Sequence, residues 1–148
     1  MKNPALMYRE SAVRGASPVG LIIILYEEIV RSLRKAQKAL KQGQIEQRSL
    51  ELTHVIEVIG YLQSILDFDK GGAIALHLST FYNFARTQVV DANAKASDLA
   101  IESLVTQFSS MKSQWQQVEA VVNKTASEKG GQADVRAALR LSPVGAQS

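Results

Sequence analysis

The feature that most constrains this chain is the absence of proline between Pro18 and Pro143. Proline removes a backbone donor and clashes with the preceding helical turn, so a long stretch without it favours a nearly all-helical protein. The chain has 148 residues, which predicts one domain that can bury a core. It contains no cysteine, which excludes disulfide scaffolds, zinc–thiolate sites, iron–sulfur clusters and cysteine nucleophiles.

Apolar residues recur at three- and four-residue steps in four segments, and each such stripe predicts a helix with one buried face. Ser17 and Pro18 predict the first helix start, because serine caps free backbone N–H groups and proline fits the first helical position. Gly60, inside the second helix, is typical of close packing against a neighbour. The predicted helices span about 18–41, 45–66 and 72–92, with a turn at 67–72, and a fourth helix runs from its cap Ser97 to about Lys124.

Four helices of ~20 residues with short connections predict an all-α fold, an antiparallel four-helix bundle. Residues 1–16 lack helical periodicity and are predicted to form an N-terminal arm, followed by the bundle domain over residues 17–124. Residues 125–148 are predicted to be a flexible C-terminal tail. No segment alternates with a period of two, so we expect no sheet.

Neither a membrane nor a nucleic acid is an expected partner. The apolar stretch over residues 19–26 is shorter than the ~18 residues of a membrane span. It has the outline of a signal peptide, but Glu27 and Glu28 follow at once and no cleavage site appears. The net charge is only +3, and we expect the basic cluster on the first helix to be a solvated face. This cluster comprises Arg31, Arg34, Lys35, Lys38 and Lys41.

Residues that could support catalysis are too few, and we expect no enzyme and no cofactor. Bundle enzymes that hold two metals use a Glu-x-x-His motif from each of two helices. Glu51 and His54 form one such motif, but His77 has Ile74 three residues before it, so the second is missing. The two aspartates of the turn at 67–72 lack the pocket that acid–base catalysis requires.

Six consecutive apolar residues, Leu21 to Tyr26, make the start of the first helix apolar on every side. Such a helix must be covered all round, whereas a bundle leaves outer faces exposed to water. The cover is the protein's own arm, a second copy or a bound partner; the alternative is a fully packed corner of an ordinary bundle. Exposed apolar grooves usually serve recognition.

Three stretches of sequence carry a family resemblance. The first reads YRESAVRGASP over residues 8–18 and continues with Leu21, Leu25 and Tyr26. The second reads LDFDKGGAIA over residues 66–75 and continues with Leu78 and Tyr82. The third reads VDAN over residues 90–93 and precedes the helix that contains Trp115. In order and spacing, over about Tyr8–Glu119, the chain resembles the bacterial flagellin export chaperone family, FliS.

This resemblance implies a four-helix bundle chaperone of the bacterial cytoplasm. Such proteins bind the disordered C-terminal segment of flagellin in an apolar groove, prevent its premature polymerisation and assist delivery to the flagellar type III export gate. In the family, the N-terminal arm can cover part of this surface when flagellin is absent. A homodimer of this protein in the absence of flagellin is a further possibility that the sequence leaves open. The main alternative is a structural homo-oligomeric bundle or adaptor with no export role.

The resemblance also implies which residues bind partners. Tyr8 belongs to the arm and its contact with the export gate. The start of the first helix lines or floors the groove, through Leu21, Ile22, Leu25 and Tyr26. Further residues at family positions are Leu78, Tyr82 and Asn93. For Tyr82, a packed core tyrosine is an equally good interpretation.

Overall fold

The structure, a computed structural model, describes the backbone of residues 17–129 and the side chains of residues 17–125. This part of the chain consists of four helices and contains no strand. The helices are α1 (Pro18–Lys41), α2 (Ile45–Ser64), α3 (Phe68–Lys95) and α4 (Asp98–Lys129). The predicted arm with Tyr8, and the part of the predicted tail after residue 129, lie outside the described residues.

Serine side chains cap two of the helices, as the sequence predicts. The Ser17 hydroxyl accepts a hydrogen bond from the Gly20 backbone N–H at 3.0 Å, and Pro18 occupies the first helical position. The Ser97 hydroxyl accepts from the Ala100 N–H at 3.1 Å and caps α4. Each cap satisfies a backbone donor that the first helical turn leaves free.

The predicted turn at 67–72 contains more helix than expected. Asp67 accepts a hydrogen bond from the Lys70 N–H at 3.0 Å, so this cap starts α3 at Phe68 and not near Gly72. A kink follows at Gly72, where φ is 52° and ψ is −126°, a conformation that favours glycine. Three other helix ends also differ from the prediction: α2 ends at Ser64 and not at residue 66, α3 continues to Lys95, and α4 continues to Lys129.

The helices form a closed ring in which each packs against two neighbours: α1 lies between α2 and α4, and α3 lies on the opposite side. Neighbouring helices are antiparallel, because late residues of one helix contact early residues of the next. Gln63 contacts Ser79 across α2 and α3, whereas the earlier residue Arg48 contacts the later Asn93. The predicted all-α, antiparallel four-helix bundle is therefore confirmed.

The four apolar stripes meet in one core, which includes the cluster of aromatic rings Tyr26, Phe81, Tyr82 and Phe108. Tyr26 of α1 and Tyr82 of α3 reach across the core from opposite helices, and their hydroxyls lie 2.7 Å apart. Their rings are arranged edge to face, as aromatic pairs prefer.

The expectation for Gly60 is wrong. This glycine is half-buried in the middle of α2, yet a Cβ atom added to it would meet no atom within 4 Å. Close packing therefore does not explain it within the described residues. A glycine in a helix interior costs up to about 1 kcal/mol relative to alanine, and no close contact among the described residues offsets this cost at Gly60.

Candidate functional site

An apolar pocket of about 180 Å³ lies between α1, α2 and α3, at the end of the bundle where α1 and α3 begin and α2 ends. We call this end of the bundle the pocket end. The Tyr82 hydroxyl is the one polar side-chain group among its lining residues. These residues are Pro18, Leu21, Ile22, Leu62, Ile65, Leu66, Leu78 and Tyr82.

Four of the residues singled out in the sequence come together in this pocket, Leu21 and Ile22 from α1 and Leu78 and Tyr82 from α3. Leu21 and Ile22 are half-exposed, whereas Leu78 and Tyr82 are each 1% exposed and form inner walls. Tyr82 therefore fits both interpretations that the sequence allows, since it belongs to the core and also faces the pocket.

The apolar start of α1 is only partly covered by the described part of the chain. Leu25 is 6% exposed and Tyr26 is completely buried, and neither is among the residues that line the pocket. Tyr26 meets the lining residue Tyr82 from within the core. Leu21, Ile22 and Ile24 remain half-exposed. Three of the six consecutive apolar residues therefore leave apolar surface uncovered by the described part of the chain, as the sequence indicates.

The contribution of α2 to the pocket was not predicted. Leu62, Ile65 and Leu66 line it, and Ile65 is 39% exposed. Leu62 and Leu66 belong to the apolar stripe of the predicted second helix, over about 45–66, which periodicity assigns to the core. In the structure α2 ends at Ser64, so Ile65 and Leu66 follow the helix directly. Periodicity cannot predict this contribution, because it does not show where the end of α2 lies relative to the other helices. The apolar residues at that end face the pocket opening.

The tyrosine pair supplies a polar group at the base of the pocket. Burial raises the pKa of Tyr26 to about 12, against the opposing effect of hydrogen bonds from Tyr82 and Trp115. Burial also raises the pKa of Tyr82, with the Tyr26 hydroxyl beside it. Both hydroxyls therefore stay protonated at neutral pH and hold the inner wall of the pocket in place.

Asn93 lies far from the pocket, at the opposite end of the bundle. Its Oδ1 accepts hydrogen bonds from Arg48 Nε at 3.0 Å and from the Ser49 hydroxyl at 3.3 Å, and these bonds join α3 to α2. Of the described residues that the resemblance implies, Asn93 is thus the one that the fold does not bring near the others.

A buried acid–histidine pair joins α1 to α2 and was also missed. Glu28 is 3% exposed and its carboxylate lies 2.8 Å from His54 Nε2 and 2.8 Å from Arg31 Nη1. The hydrogen bond with Glu28 raises the pKa of His54, against the lowering effect of burial. His54 therefore pairs with an acid on another helix, and not with Glu51 of its Glu-x-x-His motif.

Over the part of the chain with described side chains, no group of three or more histidine, aspartate or glutamate residues could hold a metal ion. No described helix combines the length and apolar character that a membrane span requires.

Comparison with known proteins places the chain in a family. A profile of the family described as flagellar protein FliS matches residues 1–122. The chain belongs to the FliS family. The flagellar secretion chaperone FliS of Salmonella typhimurium is 34% identical over 74% of this chain and 82% of its own length. FliS of Vibrio cholerae is 29% identical over 82% and 90%, and FliSB of Pseudomonas aeruginosa is 27% identical over 78% and 91%, respectively.

Membership in the FliS family confirms the resemblance seen in the sequence. The matching relatives are flagellar secretion chaperones, which supports an export chaperone role for this chain. FliS chaperones are not enzymes, so the expectation that the chain is not an enzyme is confirmed by the family.

Proposed function

We propose that this protein is a flagellar export chaperone that binds the disordered C-terminal segment of flagellin at the pocket end. Binding there keeps the segment from polymerising prematurely in the cytoplasm and assists its delivery to the flagellar type III export gate. The observation that carries the proposal is the apolar pocket formed by Leu21, Ile22, Leu78 and Tyr82 in a member of the FliS family.

Burial of apolar surface on both partners drives the proposed binding. The flagellin segment orders as its apolar side chains enter the pocket, at an entropic cost of about 2–5 kcal/mol. Leu21 and Ile22 contact the segment directly, and Leu25 and Tyr26 support the floor beneath them. Release requires only a competing site, so the mechanism needs no nucleotide.

The arm completes the proposal. Residues 1–16 connect directly to Ser17 and Pro18, and Pro18 lines the pocket, so the arm is attached at the edge of the binding surface. We propose that the arm covers the pocket when flagellin is absent and that Tyr8 contacts the export gate when flagellin is bound.

Calorimetry with a C-terminal flagellin peptide tests this function. We expect the protein to bind the peptide, and Leu21→Gln to weaken binding about tenfold, because a half-exposed apolar contact becomes polar. Leu99→Gln is the matched control: Leu99 is 84% exposed and begins α4 at the other end of the bundle, so its replacement should leave affinity unchanged.

Two outcomes would contradict the proposal. Absence of peptide binding at tens of micromolar, together with a stable dimer by light scattering, would favour the homo-oligomeric alternative. Equal loss of affinity in the two glutamine variants would show that binding does not depend on the pocket.

A further inference from the structure

The seam between α2 and α3 contains an arginine with no acidic partner in the described structure. Arg86 of α3 is half-buried, and its Nη2 donates a hydrogen bond to Gln63 Oε1 of α2. Its Nε is buried and has no hydrogen-bond partner. A guanidinium group has five N–H donors and favours planar acceptors such as carboxylates. Because Nε is enclosed, a carboxylate from outside the chain would meet the terminal nitrogens, which have one hydrogen bond among the described residues, to Gln63.

Open space lies beside this arginine. Gly60 precedes Gln63 by three residues, so the two share a face of α2. Because a Cβ atom at Gly60 would meet nothing within 4 Å among the described residues, the surface beside the Gln63–Arg86 contact is open there. We call this gap, where α2 carries no side chain, the notch. The notch allows a second backbone or side chain to approach α2 closely.

The notch and the pocket share two helices, α2 and α3. Leu62 and Leu78 line the pocket, and Gln63 follows Leu62 directly. Arg86 lies eight residues after Leu78 on α3, which corresponds to about 12 Å along the helix axis. A chain that leaves the pocket between α2 and α3 therefore reaches Arg86 after about four residues if extended, or about eight if helical.

We propose that the α2–α3 seam is a second contact surface for the chain that occupies the pocket, and that a carboxylate of that chain binds Arg86. This inference rests on the proposed function for the source of the chain. The proposal predicts that the bound segment contains an apolar residue that enters the pocket. An aspartate or glutamate should lie about four residues from it if the segment is extended, or about eight if it is helical. Arg86 has no acidic partner among the described residues, and its charge is what selects an acidic side chain over an apolar one.

Titration of a C-terminal flagellin peptide into charge variants tests the arginine. Arg86→Gln should weaken binding about tenfold, because the charge-assisted hydrogen bonds are lost. Lys38→Gln removes the same charge from the exposed face of α1 and should not change affinity. Neutralising the peptide's acidic residues one at a time should reveal one whose loss weakens binding to the wild-type protein but not to Arg86→Gln.

Substitutions at Gly60 test the notch. Gly60→Ala and Gly60→Leu should both preserve folding, since the space is open and both residues favour helix more than glycine does. Gly60→Leu should nevertheless weaken peptide binding severalfold, because its side chain fills the notch, whereas Gly60→Ala should have a smaller effect.

The results separate the two proposals. If the peptide binds the wild-type protein and Leu21→Gln weakens it, but Arg86→Gln and Gly60→Leu bind normally, the seam proposal is overturned and the proposed function stands. If the peptide does not bind the wild-type protein at all, both fail. If Lys38→Gln weakens binding as much as Arg86→Gln, the effect is one of net charge and the specific contact is excluded.

Discussion

The two ends of the bundle differ in the side chains that connect the helices. At the pocket end, apolar side chains from α1, α2 and α3 surround an opening. At the other end, which we call the hydrogen-bonded end, polar side chains bridge the helices. Arg48 and Ser49 bind Asn93, while Gln37 Nε2 donates to Glu102 at 2.9 Å between α1 and α4.

Exposed apolar residues occur at both ends, so exposure alone does not mark a binding surface. Ile45, Leu50 and Leu99 are each more than 60% exposed near the hydrogen-bonded end. A depression in that region is lined mainly by polar residues and glycine, over residues 43–47 and Leu50. Single exposed apolar residues are normal on proteins. What distinguishes the pocket end is that its apolar residues converge on one concavity.

The largest expected effect follows from shortening a wall of the pocket. Leu62→Ala should lower the free energy of unfolding by about 2–5 kcal/mol, because a buried leucine is lost and a cavity remains. Leu62 is 1% exposed, whereas Leu50 on the same helix is 65% exposed and Leu50→Ala should change stability little. Urea unfolding of both variants measures the difference, and similar losses would contradict the assignment of the pocket walls to the core.

A smaller effect is expected at the hydrogen-bonded end. Asn93→Ala should lower the free energy of unfolding by about 1–2 kcal/mol, since Arg48 and Ser49 lose a shared acceptor. The exposed Asn123 provides the control, Asn123→Ala. Because the Asn93 side chain faces α2, peptide affinity should stay within about twofold of the wild-type value. A larger loss of affinity would make Asn93 a partner contact, as the resemblance implies, and would weaken the contrast between the ends.

The smallest expected effect is the pH dependence of the Glu28–His54 pair, which lies between the two ends. The hydrogen bond with Glu28 raises the pKa of His54 in the folded protein. Its stabilisation is therefore complete below about pH 6.5, the unfolded-state pKa, and is lost as pH rises through the folded-state pKa.

Proton NMR of the His54 ring should show a pKa above its ordinary value, which falls in Glu28→Gln. Urea midpoints should show wild-type protein losing stability relative to His54→Gln as pH rises. A stability difference that does not vary with pH would rule out this role for the pair.

The fold was largely predictable because its signals are local. Stripe periodicity and the caps at Ser17 and Ser97 place the helices and their order. The extra turn of α3 was missed because Asp67 acts as a cap there, and Asp–Gly-rich segments predict a turn equally well. The end of α4 was missed because the sequence after Lys124 is polar and has no apolar periodicity to indicate a helix.

The candidate site was only half predictable, since it depends on contacts between distant residues. Leu21 and Ile22 could be identified because six apolar residues in sequence exceed what one buried stripe requires. Ile65 could not, because its importance comes from where α2 ends beside α1. Arg86 gives no signal at all in the sequence, since an arginine on a helix is ordinarily solvated.

The chain of contacts from Trp115 to the pocket gives the protein an optical probe of its own. Trp115 is the only tryptophan, it is 1% exposed, and its side chain is close enough to the Tyr26 hydroxyl to lower the pKa of that group. Tyr26 in turn meets Tyr82, which lines the pocket. A segment entering the pocket thus disturbs a wall that is connected through Tyr82 and Tyr26 to a single buried fluorophore, so the indole emission can follow occupancy of the unlabelled protein in real time.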